Sequence, residues 1–240
     1  MTPSREHALA WAYDGAAHLR ALLARMGDDA FAAPSALPGW SRAHVLSHLA
    51  RNADAMINLL EWARTGTPTP AYASREQRDA DIESGARRPP AEIRVDVTAS
   101  SDRLAALVRA MPASAWSHTV THASGAEIEA SAIPWFRARE MWIHAVDLDV
   151  GASFDDLPVP MLVALVDDVV ATLGTREGCP NLRLTAADQK RSWVLGAVED
   201  PPESVTGSVA GLAAWLLGRS KGKDLRTGAG KRPPAVPRWL

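Results

Sequence analysis

The spacing of apolar residues constrains the fold of this chain more than any other feature of its sequence. Four long stretches carry apolar residues at intervals of three and four, a pattern typical of amphipathic helices that pack together. Thr2 and Pro3 are predicted as N-cap and first helical position of the first helix, and Ser41 as the cap of the second. The predicted helices span residues 3–26, 42–64, 89–111 and 131–148. Together they predict a four-helix bundle of about 150 residues.

Two smaller elements are expected between the long helices. The string Ser74-Arg-Glu-Gln77 has the form of a capping box and predicts a short helix that contains Arg75 and Arg78. Residues 116–129 alternate weakly between polar and apolar around Ser124-Gly125, which predicts a small hairpin.

The pattern changes after Gly151, which we take as a domain boundary. Short strand candidates and amphipathic helices follow, separated by turn residues. The predicted helices cover residues 160–173 and 209–217, and the predicted strands cover residues 182–185, 192–195 and 204–207. We therefore expect a two-domain α+β protein, with a helical bundle at residues 1–151 and a small α+β domain at residues 152–240.

Composition excludes several classes of function. A net charge of −2 and the absence of a lysine-rich run argue against a nucleic-acid partner. No apolar run of 18 residues occurs, so no membrane span is expected. The one cysteine, Cys179, excludes an internal disulfide and a cysteine-based zinc site, and its place in a loop beside Pro180 makes it a poor nucleophile candidate. With no signal-like segment at the start, we expect a cytoplasmic monomer.

Glu140 and His144 are the strongest chemical signal in the sequence. Helical spacing of four stacks their side chains on one face, where a carboxylate and an imidazole can hold one metal ion. Apolar neighbours, among them Met141 and Ile143, place the pair toward the interior, where a charged group needs a partner. A Glu–His pair at this spacing is also common as a surface ion pair, so a third ligand is needed to establish a metal site.

The third ligand is expected from the second helix, where His44 and His48 are themselves four residues apart. We favour His48 because it lies nearer the apolar stripe, and His44 stays open as the alternative. Three protein ligands leave a fourth position free, as in catalytic zinc sites, although ferrous iron or nickel also accepts this ligand set. Asp147 would either accept a hydrogen bond from a ligand imidazole or cap the next turn. The hairpin residue His122, like His118, is expected at the surface.

Longer strings of sequence carry a family resemblance. Gly39-Trp-Ser-Arg-Ala-His44 with His48, Arg139-Glu140 through Asp147-Leu148, and the final Pro237-Arg-Trp-Leu240 closely resemble the mycothiol-dependent maleylpyruvate isomerases. The likeness covers nearly the whole chain and includes the strings at 61–72 and 74–78. It implies a DinB-like metal-binding bundle followed by a domain that resembles sterol-carrier proteins.

The resemblance also implies cofactors and site residues. It implies zinc at His48, Glu140 and His144, together with mycothiol, a low-molecular-weight thiol, as the second cofactor. Two arginines of the family match Arg78 and, on a shorter local string, Arg219; both would bind the carboxylates of the substrate. The implied reaction is the cis–trans isomerisation of maleylpyruvate, a dicarboxylate, to fumarylpyruvate by reversible thiolate addition.

Two rival interpretations stay open at this point. The protein could be a mycothiol S-transferase or thiol-exchange enzyme that acts on another electrophile, in detoxification or natural-product biosynthesis. It could instead be a non-enzymatic ligand-binding helical module in which Glu140 and His144 are satisfied core groups.

Overall fold

The computed structural model describes residues 3–199, 203–228 and 230–239 of the chain. Within it the chain divides into two compact units, one formed by Ser4–Ala152 and the other containing Ser153–Leu240. The N-terminal unit is built from five helices and a short hairpin. These elements are α1 (Arg5–Arg25), α2 (Arg42–Thr65), α3 (Arg75–Ala86), α4 (Pro90–Ala110), β1 (Thr119–Thr121), β2 (Glu127–Glu129) and α5 (Ile133–Asp147).

Polar caps set where the helices begin. Ser41 caps α2 as predicted, and its side chain accepts a hydrogen bond from the backbone N–H of His44. The cap of α1 is Ser4, whose side chain accepts from the N–H of His7. Pro3 therefore precedes the helix instead of opening it, and the predicted cap Thr2 lies outside the described residues. At its end α2 stops at Gly66, whose φ of 75° is a left-handed conformation that glycine adopts without strain.

The four long helices form the predicted bundle, in which α1 packs against α5 and α2 packs against α4, α5 and α3. Helix α2 is the most enclosed of them, because apolar residues on several of its faces are inaccessible to solvent. Its fully buried side chains include Val45, Leu46, Leu49, Leu59 and Leu60. Burial on this scale stabilises the bundle by roughly 25 cal/mol per Å² of apolar surface removed from water.

The short helix α3 begins after its predicted cap, Ser74, and lies close against α2. The contact depends on Gly85, because a Cβ atom placed there would lie 1.9 Å from the side-chain oxygen of Ser47. The hairpin is also confirmed, with β1 and β2 antiparallel and Val120 paired with Ile128. These two elements bring polar side chains from outside the bundle to its surface beside α2 and α5.

In its described residues, the C-terminal unit comprises a four-stranded sheet and two helices. It consists of α6 (Val159–Leu173), β3 (Leu182–Ala186), β4 (Arg191–Leu195), β5 (Glu203–Gly207), α7 (Val209–Leu216) and β6 (Arg226–Thr227). The strand order is β4-β3-β5-β6, in which only β3 and β5 run parallel. The sequence predicted both helices and the first three strands of this unit. It did not predict β6, because a strand of two residues is too short to show an alternation of polar and apolar residues. No described helix combines the length and the apolar character needed to cross a membrane.

Candidate metal centre

Three potential ligands converge in the N-terminal unit. His48 comes from α2, and Glu140 and His144 come from successive turns of α5, with one ligand atom of each lying within 4.8 Å of the others. His48 Nε2 donates to Glu140 Oε2 across 2.8 Å, and His144 Nε2 lies 3.2 Å from the same oxygen. Among the described residues, no other three His, Cys, Asp or Glu side chains meet in this way.

Packing of the two helices fixes the directions of these side chains. The rings of His48 and His144 lie nearly perpendicular, with centroids 4.7 Å apart, and Trp40 packs against the outer side of His48 at 5.6 Å. The side chain of His48 is 7% exposed, whereas that of Glu140 is 23% exposed. The cluster is therefore anchored in the bundle and open on one side.

Asp147 orients the ligand imidazole of His144. Nδ1 of His144 donates to Asp147 Oδ2 across 2.9 Å, and the carboxylate is almost fully buried. With the ring proton held on Nδ1, Nε2 is left as the nitrogen that faces Glu140. This is the usual arrangement behind a metal-binding histidine, and it favours the first of the two roles expected for Asp147.

The charges in the cluster favour a bound cation. Burial alone would raise the pKa of Glu140, but hydrogen bonds from His144 and His48 outweigh it and hold the pKa well below its usual range. Burial likewise opposes protonation of His144, yet hydrogen bonds to Asp147 and Glu140 raise its pKa to about 9. Burial lowers the pKa of His48, against the effect of Glu140. Glu140 and Asp147 thus hold a proton on His144, and a metal ion bound to Glu140 and to Nε2 of His144 would replace that proton.

His44, the alternative third ligand, is used elsewhere. Its Nδ1 lies 2.7 Å from the hydroxyl of Ser41 and completes the cap of α2, while its Nε2 lies 3.0 Å from Glu83 of α3. Both ring nitrogens of His44 are therefore occupied, one by the cap of α2 and the other by the contact between α2 and α3. The geometry favours His48, the residue that the apolar stripe also favoured.

Arg78, on α3, is the polar side chain that reaches the cluster from outside the bundle. Its Nη2 lies 3.3 Å from His48 Nδ1, its Nη1 donates to Asp79 across 2.6 Å, and its guanidinium lies over the ring of Tyr72. Arg219 lies in the C-terminal unit, just after α7, and its Nη1 donates to the carbonyl of Leu217. A role for Arg219 stays a prediction.

The donor set fits a divalent metal, and the fit has a consequence for Arg78. A neutral imidazole carries one ring proton, so a metal ion on His48 Nε2 would leave that proton on Nδ1. Nδ1 could then no longer accept from Arg78. Two imidazoles and one carboxylate would hold the metal, and the guanidinium of Arg78 would be released to another acceptor.

Two polar features of the site were not predicted. Arg137 is buried behind the cluster, where its guanidinium donates to the Leu49 carbonyl, to Asn52 Oδ1 at 2.7 Å and to Ser101 Oγ at 3.1 Å. Burial lowers the pKa of Arg137 to about 10, so the group stays cationic at neutral pH. The signal for it was present, because Arg137 precedes Glu140 by three residues and Asn52 follows His48 by four. The second feature is His122, which was expected at the surface and is half-buried.

A polar cleft of about 770 Å³ lies within the N-terminal unit beside Arg78. The loop after α2, the first turn of α3 and the tip of the hairpin form its walls, and its polar residues include Tyr72, Arg75, Arg78 and His122. A second cavity, of about 270 Å³, lies between α1, α4 and α5 and is mainly apolar apart from Arg137 and a few surface groups. Of these two cavities, the polar cleft is the one whose lining includes a group, Arg78, in contact with one of the three ligands, His48.

The fold and the site together define a four-helix bundle with a candidate metal centre, in a chain that also contains a small C-terminal sheet domain. The family profile described as the mycothiol maleylpyruvate isomerase N-terminal domain matches residues 13–149. The chain belongs to the mycothiol-dependent maleylpyruvate isomerase family, whose solved members are enzymes.

Solved structures extend the similarity to the whole chain. Two crystal structures of the mycothiol-dependent maleylpyruvate isomerase, one of them a mutant with a histidine replaced by alanine, each match with a TM-score of 0.92. The sequence identity is 33%, over 99% of this chain and 98% of that chain. YfiT from Bacillus subtilis, described as a probable metal-dependent hydrolase, matches with 16% identity and a TM-score of 0.49 over 61% of this chain and 85% of that chain, too distant to support an argument. A search of curated protein sequences gave no match.

Proposed function

We propose that the protein catalyses the cis–trans isomerisation of maleylpyruvate to fumarylpyruvate, with mycothiol as cofactor and zinc as the metal. The observation that carries this proposal is the convergence of His48, Glu140 and His144 in a chain with a 33% identical, full-length structural relative of that activity. The ligand set leaves one coordination position for a small molecule, as is typical of catalytic zinc sites.

The protein residues hold and tune the metal. His48, Glu140 and His144 would bind it, and Asp147 would keep the His144 ring oriented through Nδ1–H. When bound, zinc would lower the pKa of a coordinated thiol, so that a thiolate forms near neutral pH. The single carboxylate among the ligands leaves excess positive charge on the divalent centre, which favours an anionic fourth ligand over a neutral one.

The arginines would bind the substrate. Reversible addition of the mycothiol thiolate to the conjugated double bond would allow rotation about that bond and return the thiol unchanged. Maleylpyruvate carries two carboxylates, and further negative charge on it requires cationic partners. Arg78, released from His48 when a metal binds, would pair with one carboxylate, and Arg219 would supply the second cationic partner.

The decisive experiment is an isomerase assay on zinc-loaded protein with and without mycothiol. We expect the trans product, followed by proton NMR through its larger vinyl coupling constant, only when both zinc and mycothiol are present. Chelation of the metal should abolish the reaction, and readdition of zinc should restore it. Absence of the trans product with both cofactors present would contradict the proposal.

A mycothiol S-transferase activity toward another electrophile is the second candidate. The polar cleft of about 770 Å³ lies in the range of pockets that hold drug-sized ligands, so its size does not restrict the electrophile to a seven-carbon diacid. The same zinc-loaded protein, incubated with mycothiol and a chlorinated aromatic or an epoxide, would then yield a thioether conjugate detectable by mass spectrometry. Conjugate formation without isomerisation of maleylpyruvate would favour the transferase.

A further inference from the structure

His122 lies over the face of α5 that carries the ligands. Its ring packs against Phe136 with centroids 5.0 Å apart. Phe136, Glu140 and His144 follow one another at intervals of four residues, so they share one face of the helix. The imidazole therefore packs on a residue one helical turn away from Glu140, the carboxylate ligand.

The same imidazole lines the polar cleft together with residues of α3. Arg75 and Arg78 are the cations in this lining, which also includes Tyr72. Arg78 contacts His48, and His122 rests on the helix of Glu140 and His144, so both walls of the cleft are anchored next to the ligand cluster. A small molecule bound in the cleft would meet two cations and one imidazole.

The hairpin fixes which nitrogen of His122 carries the proton. The backbone N–H of Ser124 donates to His122 Nδ1 across 3.2 Å, and the Ser124 hydroxyl lies 2.9 Å from the same nitrogen. A backbone N–H can only donate, so Nδ1 is the acceptor and the neutral ring carries its proton on Nε2. Within the described ranges, Nε2 of His122 has no hydrogen-bond partner.

The surroundings also keep this ring neutral. Burial lowers the pKa of His122, the neighbouring Arg139 guanidinium lowers it further, and the Glu140 carboxylate opposes them with a smaller effect. At neutral pH the cleft therefore contains two cationic groups, suited to carboxylates, and one neutral N–H donor of fixed direction.

We propose that His122 is a further catalytic residue, whose Nε2–H donates to the substrate carbonyl oxygen on which negative charge develops; this rests on the proposed isomerase function. When the thiolate sulfur bonds to the double bond, the π-electron pair shifts toward the conjugated carbonyl and places charge on its oxygen. On elimination the pair returns, the carbon–sulfur bond breaks and the thiolate leaves, so no oxidant or reductant is consumed. The negative charge on this oxygen develops mainly in the transition state, so a neutral hydrogen-bond donor is suited to stabilise it. The carboxylates of the substrate are charged throughout the reaction, so cations are suited to bind them.

Two substitutions separate the N–H group from the shape of the ring. In His122→Phe the aromatic contact with Phe136 is kept and the donor is lost; we expect kcat to fall about 100-fold, the loss typical of one missing oxyanion donor, with KM nearly unchanged. His122→Gln restores an N–H donor and should recover much of that loss. His118→Phe removes an exposed imidazole that directly precedes β1, contacts the Ala63 carbonyl and does not line the polar cleft, and it should leave kcat within about twofold of wild type.

A second measurement needs neither mycothiol nor turnover. Nitrogen-15 NMR of the histidine rings in zinc-loaded protein should show His122 with its proton on Nε2. Addition of the saturated analogue of maleylpyruvate, which lacks the double bond, should shift the Nε2–H resonance of His122. The proposal is overturned by a proton on Nδ1, by an Nε2–H resonance that the saturated analogue leaves unmoved, or by wild-type turnover in His122→Phe. If wild-type protein produces no fumarylpyruvate, that result contradicts the proposed isomerase function. The NMR measurement then still decides independently whether His122 donates to a bound oxo acid.

Discussion

Two clusters of charged side chains include residues on neighbouring turns of α2, and they differ in how their charges are compensated. Arg51 pairs with Asp54 at 3.1 Å and with Asp96 at 2.8 Å, and Arg88 also contacts Asp96. Each acid in that cluster faces a permanent cation. One turn earlier, His48 belongs to a cluster of metal-ligand type, in which two carboxylates and two imidazoles are held together only by protons. The first cluster is complete as it stands, and the second has the charge balance of a site that binds a cation.

The difference in charge balance predicts opposite consequences of mutation. Removal of one partner from an ion cluster leaves a charge without compensation, which lowers stability. Removal of one ligand from the metal-ligand cluster relieves close contacts among groups that converge in order to bind a metal ion. Such a change should therefore lower activity more than it lowers stability. Matched substitutions of a carboxylate by its amide in each cluster test this directly.

Glu140→Gln should have the largest effect. The amide keeps the shape of the side chain but lacks the charge that neutralises a divalent ion, so we expect zinc content to fall below stoichiometric. Isomerase turnover should fall by about 1,000-fold or more, because a metal that activates the nucleophile contributes several kcal/mol to catalysis. Elemental analysis and the isomerase assay measure the two effects. Full zinc occupancy in this variant would show that Glu140 is not a ligand.

Arg78→Ala should have the next largest effect, and it separates substrate binding from metal binding. We expect turnover to fall about 100-fold while zinc content stays at the wild-type level, because the guanidinium would pair with substrate and not with the metal. Arg87→Ala, an exposed arginine at the end of the same helix, is the matched control and should retain activity. Full activity of Arg78→Ala would show that the role assigned to it is wrong.

Asp147→Asn should have a smaller effect, on metal affinity. The amide can still accept a hydrogen bond from His144 Nδ1 but lacks the carboxylate charge, so zinc affinity should fall by about 10–100-fold. Competition with a chromophoric chelator gives the affinity directly. Activity at saturating zinc should be close to wild type, and a loss that excess zinc cannot restore would mean that Asp147 acts in the reaction itself.

Much of this architecture could be predicted because it depends on local signals. Helix α2 begins after Ser41 and ends at Gly66, since a side-chain cap and a left-handed glycine act within a few residues. The pairing of Glu140 with His144 also follows from helical spacing alone. The start of α1 shows the limit of such signals, because Ser4 was a competing cap two residues from the predicted one.

The third ligand and the polar cleft depend on contacts between distant segments. Spacing could not decide between His44 and His48, because both lie on α2 and the choice depends on how α3 packs. Helical spacing places Arg137 on the face of Glu140, but it could not show the acceptors of Arg137, which come from α2 and α4. For His122, the decisive contact is with Phe136, on an element fourteen residues away. Side chains that meet across elements carry no periodic signal in a single sequence.

Asp96→Asn should have the smallest effect on activity and the clearest effect on stability. The Asp96 side chain is 15% exposed and accepts from both Arg51 and Arg88, so its amide would leave two guanidinium groups without a full counter-charge. We expect the free energy of unfolding to fall by about 1–2 kcal/mol, measured by urea denaturation, with zinc content and turnover unchanged. Loss of turnover without loss of stability would mean that the ion cluster positions His48 on the neighbouring turn of α2. The two clusters would then have to be treated as one site.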